Sequence, residues 1–70
     1  MSDAKGTSRG EQYARIFRKA GVLAGKGDLA AAITALHTGL DLAHGFGDGD
    51  MERVFAEQIA THQRELNGPG

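Results

Sequence analysis

The chain has no cysteine, which excludes a disulfide framework and a thiolate metal site. It has no apolar run near the length of about 18 residues that a membrane-spanning helix needs, and its start, MSDAKGTSRG, lacks the hydrophobic segment of a secretory signal. A cytoplasmic location and no membrane partner are therefore expected. Neither sign of charge dominates: eight Lys and Arg stand against nine Asp and Glu, for a net charge of −1. That balance gives no pull toward nucleic acid, and none is expected as a partner. There is also little chain. Seventy residues make one domain that buries roughly 60% of its unfolded surface, and eleven glycines add backbone entropy for folding to overcome. Such a chain gains stability from a neighbour, a copy of itself or another protein.

What is present is helical. Residues 1–7 are small and polar and read as a disordered leader. Ser8, followed three residues later by Glu11, is a capping box. It predicts a helix to about Ala24 with an apolar stripe of Tyr13, Ile16, Phe17, Ala20, Leu23 and Ala24. Gly25 suits a left-handed C-cap, Lys26 and Gly27 continue the turn, and Asp28 suits the N-cap of a second helix. That helix, Leu29 to about His44, carries Leu29, Ile33, Leu36, Leu40 and Ala43 on one face, and Ala30, Ala31, Ala32 and Ala35 favour helix. Gly39 inside it costs about 1 kcal/mol relative to alanine, which predicts another backbone packed against it. In HGFGDGD, Gly45 is the expected cap, Phe46 is expected to fold onto the core, and Asp48 or Gly49 opens a third helix. This one runs from Met51 to about Leu66, with Met51, Val54, Phe55, Ile59, His62 and Leu66 as its stripe. NGPG ends it, leaving residues 68–70 as a tail. No alternation of period two appears, so no strand is expected. The fold class is all-α: a three-helix bundle over residues 8–67.

The hairpin segment GDLAAAITALHTGLDLA resembles a tetratricopeptide repeat, two antiparallel helices with small residues at their closest contact. Setting Gly27 and Asp28 at that family's turn puts Ile16 at its large aromatic position, Ala20 at its small one and Leu23 at its second aromatic one. Ala32 falls where the helices touch, Leu36 at the large apolar site after it, and Gly39 and Leu40 near the end. Lys19 replaces the family's usual leucine and His44 its closing proline. The match covers Gly10 to about His44, and the third helix stands as a cap or as part of a further repeat. The length is also similar to the three-helix microtubule-interacting and trafficking domain. The resemblance implies stacking through neighbours and a first helix that lines a groove for a peptide or partner helix, exposing Phe17, Arg18, Gly21 and Ala14.

Three groups invite chemistry. His37, Asp41 and His44, spaced four and three apart, project from one side of the second helix as two imidazoles and a carboxylate able to bind zinc or nickel. A fourth ligand is missing locally, and the plainer reading is a solvated flank with a histidine–aspartate hydrogen bond. Arg9, Arg15, Arg18 and Lys19 form a basic face suited to an acidic protein patch, although Glu11 is placed to pair with Arg15 along the helix. GFGDGD follows a helix rather than a strand and so is no dinucleotide fingerprint. Asp48, Asp50 and Glu52 cannot be assembled into a calcium loop and read as helix-capping acids. His62 reads as a partly buried packing residue, and no serine, histidine and acid constellation supports nucleophilic catalysis.

The expectation is a non-enzymatic module, without cofactor, for protein recognition or self-assembly, with a homodimer as the default assembly. Its partner-binding residues are expected to be Phe17, Arg15, Arg18, Gly21, Leu40, Phe55 and Ile59. The alternative is a metal-responsive or enzyme-associated small subunit using His37, Asp41 and His44. A helix-turn-helix nucleic-acid binder ranks third, because the turn is followed by alanines instead of a basic recognition helix.

Overall fold

A computed structural model describes residues 8–68, which form three α-helices: α1 (Arg9–Gly25), α2 (Leu29–Phe46) and α3 (Gly49–Asn67). There is no strand among them. The expected leader, residues 1–7, and the last two tail residues lie outside the described residues.

α1 starts where the capping signal puts it. Ser8 is extended, and its Oγ accepts the Glu11 backbone N–H at 3.1 Å, satisfying one of the amides that the first turn leaves free. The helix ends one residue later than expected, and its left-handed reversal falls two residues later. Gly25 stays helical and Gly27 takes the left-handed conformation, φ 86°. The Asp28 N–H then donates to the Leu23 carbonyl at 2.9 Å and the Gly27 N–H to the Ala24 carbonyl at 3.0 Å, the paired bonds of a Schellman close. Asp28 fixes this position, because its Oδ1 also accepts the Ala31 N–H at 3.1 Å and opens α2. Only the glycine directly before that aspartate can make the reversal.

The second turn repeats the device. Gly47, not Gly45, is left-handed at φ 70°. The Asp48 N–H donates to the Ala43 carbonyl at 2.9 Å, the Gly47 N–H to the His44 carbonyl at 3.0 Å, and Asp48 Oδ1 accepts the Met51 N–H at 3.2 Å. Thus α2 extends through Phe46, and α3 opens at Gly49 behind the Asp48 cap as expected, with its helical residues starting two ahead of Met51. Both turns read Gly-x-Gly-Asp, at 25–28 and again at 45–48. Turns this short leave the helices running up, down and up.

α2 is the middle element. It packs against both neighbours, whereas no Cα of α1 comes within 8 Å of a Cα of α3. That position explains its breadth of burial: Ala32, Ile33, Ala35, Leu36, Gly39 and Ala43 are all buried. α1 and α3 meet through side chains. Phe55 of α3 is fully buried, 0% exposed, and its ring lies against Gly39, so the close neighbour of that glycine is an aromatic ring and not the expected backbone. Phe17 stacks on Phe55, centroids 4.6 Å apart and planes 9° from parallel. Tyr13 meets Phe55 edge-on at 5.6 Å, and Phe46 meets Tyr13 edge-on at 6.2 Å. The four aromatic residues of the sequence therefore form one continuous line, each contact contributing about 0.5–1.5 kcal/mol beyond area burial.

Three stripe expectations change. Phe46 folds back only to the edge of the core, where it meets Tyr13; it stays 39% exposed, with the Arg9 guanidinium 5.1 Å from its ring centre. Val54 is 37% exposed, because Phe55 and Ile59 take the line of closest approach to α2 and a residue one position away is turned by about 100°; Leu66, on the same face as Ile59 but in the last turn of α3, is 52% exposed.

Candidate interaction surface

The expected binding residues separate into two sets. Phe55 and Ile59 were expected on the surface and are core, both in the buried cluster. Phe55 fills the space at Gly39 and Ile59 lies in the same buried cluster, so neither is presented outward. Phe17 and Leu40 are half-buried against the same cluster. Arg15, Arg18 and Gly21 are exposed on α1. A β-carbon added at Gly21 would meet no atom within 4 Å, so open space lies beside these arginines.

The basic face is not neutralised along its own helix. The contacts between basic and acidic side chains among the described residues are His44 Nδ1 to Glu52 Oε2 at 2.7 Å and His62 Nδ1 to Glu65 Oε1 at 3.5 Å, and the expected Glu11–Arg15 pair is not among them. Beside that face a shallow groove of about 370 Å³ runs between α1 and α2, lined by Lys19, Leu23, Ala31, Thr34, Ala35 and Thr38. The Thr34 and Thr38 hydroxyls donate to the carbonyls of Ala30 and Thr34 at 3.1 and 3.4 Å. They need nothing polar from a partner, and the floor is otherwise alanine and leucine. The groove faces away from α3. Phe17 meets α3 while Lys19, two positions on, lines the groove, and two helical positions turn by about 200°. α3 thus covers one side of the α1–α2 pair and leaves the other open.

The proposed metal ligands do not converge. His37, Asp41 and His44 are all exposed, and His44 turns across the second turn to Glu52. Among the described residues no three His, Asp or Glu side chains gather to hold a metal ion. Asp48, Asp50 and Glu52 occupy the cap and first turn of α3, where carboxylates favour the helix dipole. His62 is half-buried, its Nδ1 shielded from solvent, and Glu65 Oε1 at 3.5 Å stands beside that nitrogen without forming a hydrogen bond to it.

Sequence patterns left two features unseen. Tyr13 donates its hydroxyl to Asp48 Oδ2 at 3.1 Å, joining the start of α1 to the cap of α3. Desolvation, then the bond to Asp48, raises the Tyr13 hydroxyl above its ordinary value of 10.0. Val22 is 58% exposed among the α1 cations, a position flagged only by its place opposite the stripe. No helix of the described residues is long and apolar enough to cross a membrane. No protein-family model matches the chain, nor does any curated protein or solved structure.

Proposed function

We propose that the chain is a non-catalytic protein-recognition module whose α1 face and adjoining α1–α2 groove receive a helix of another protein or of a second copy. The observation that carries this reading is the groove itself: apolar and small side chains at its floor, Lys19 at its edge, on the side of the helical pair that α3 leaves uncovered. Small residues allow a visiting helix to approach closely, and an amphipathic helix laid in an apolar groove is a common mode of recognition. Arg15 and Arg18 supply charge beside it, and arginine is favoured at interfaces. The resemblance of the hairpin to a tetratricopeptide repeat supports the same reading.

The test is site-specific photo-crosslinking in cells, with the reactive residue at Thr38 in the groove or at Gln63 on α3. A discrete adduct from Thr38 that Ala31→Arg removes is the expected result. Equal patterns from both positions reject the reading.

A further inference from the structure

Two exposed ridges of this fold match each other. On α1, Arg15, Arg18 and Val22 are spaced three and four apart; on α3, Asp50, Val54 and Glu57 are spaced four and three apart. Each set shares one helix face and covers about 10 Å of axis. Each places an exposed valine, Val22 at 58% and Val54 at 37%, beside charges of one sign, and the signs are opposite. None of the four charged side chains belongs to an ion pair among the described residues.

The ridges lie on the two helices that flank α2. The wider distribution of charge agrees. Residues 8–27 hold five basic side chains and one acidic, whereas residues 28–67 hold two basic and seven acidic. The positive part is α1 with its turn. The acids concentrate on α3, although Arg53 and Arg64 sit there too. A chain with a net charge of −1 has little long-range repulsion to keep copies apart.

We infer that the α1 ridge of one copy docks on the α3 ridge of the next, so that the occupant of each face is a second copy of this chain. This rests on the recognition and self-assembly reading and specifies its partner. The two surfaces are different and lie on separate helices, and with one such contact between each pair of copies the arrangement is heterologous: a copy that uses its α1 ridge still offers its α3 ridge, and assembly continues beyond two. Two ridges bury less than the roughly 800 Å² per partner of a standard stable interface. Association is therefore weak, dependent on concentration and sensitive to salt.

Sedimentation equilibrium of the full chain tests this, at protein concentrations up to ~1 mM in ~0.1 M and ~1 M salt. The expected result is an average mass that rises past the dimer with concentration at low salt and returns toward the monomer at high salt. Arg15→Glu/Arg18→Glu and Asp50→Lys/Glu57→Lys should each weaken association by about tenfold or more, the equivalent of two or three surface ion pairs, with native circular dichroism. If Asp50→Lys loosens the start of α3, Glu57→Lys alone carries the comparison. Mixing the two reversed variants should restore association, because each then presents what the other lacks. A monomer at every concentration overturns the inference, as does a dimer that stops growing, or reversed variants that assemble like the parent or fail to recover on mixing. A monomeric chain that still gives the Thr38 adduct would leave recognition of a different protein standing.

Discussion

The ring of Phe55 fills the space in which Gly39 would carry a side chain. A β-carbon built on Gly39 would have three ring atoms of Phe55 within 2.7 Å. The ring has no room to retreat, since Phe17 stacks on it and Tyr13 meets it edge-on. Gly39 therefore lets α2 and α3 approach at a cost in helix propensity, and the burial of Phe55 offsets that cost with roughly 1.5–3 kcal/mol.

Replacement of glycine by alanine should then act in opposite directions at two helical sites. Gly39→Ala should lower stability by about 1–3 kcal/mol through overpacking, less the gain in helix propensity. Gly21→Ala, where the added carbon meets nothing within 4 Å, should raise stability by about 0.5–1 kcal/mol. Urea unfolding followed by circular dichroism gives both values. A neutral Gly39→Ala would show that the ring can shift.

The turns yield a second contrast. Gly27→Ala and Gly47→Ala force a β-carbon into left-handed backbone, φ 86° and 70°, and should each cost about 1–2 kcal/mol. Gly25→Ala and Gly45→Ala, helical and with open space around the added carbon, should be neutral or stabilising by up to ~1 kcal/mol. Thermal unfolding separates the pairs, since 1 kcal/mol moves the midpoint of a domain this small by about 4–8 °C.

Alkaline pH should loosen the fold through Tyr13. Its hydroxyl titrates above 10.0 when folded, because burial disfavours the phenolate and Asp48 holds the proton. The unfolded chain releases that proton first, near pH 10. The contribution is thus complete below about pH 10 and is lost as pH climbs through the higher folded value. Stability measured from about pH 8 to 12 should fall in that window, and Tyr13→Phe should remove this part of the fall. Phenolate absorbance of the one tyrosine follows the titration directly.

Local chemistry made the three helices legible. Ser8, Asp28 and Asp48 each cap the helix that follows, and such caps need only the next few residues. The choice between two glycines in each turn was not local. Gly25 and Gly45 are reasonable caps in isolation, but the aspartate after Gly27 and after Gly47 has to close one helix and open another, which sets the reversal beside it. The periodicity of α3 marked a stripe without ranking its members. Phe55 and Ile59 read equally well as surface or core, but the space at Gly39 takes Phe55 and the buried cluster takes Ile59, and Val54, adjacent in sequence to Phe55, is the exposed residue. Arg15, Arg18 and Gly21 fell on the exposed face because a stripe on one side of a helix defines the other side. The triad of His37, Asp41 and His44 failed because a spacing of four and three states proximity along one helix and is silent about Glu52 on another.

The carboxylate of Asp48 has two oxygens with separate duties: Oδ1 receives an amide of α3, and Oδ2 receives the Tyr13 hydroxyl. A string of hairpins in which each helix touches only its neighbour can unravel from an end while the remainder persists. This bond closes a circuit across 35 positions, so that α1 cannot lift away without disturbing the site where α3 nucleates. The three helices should consequently melt together, as one all-or-none transition.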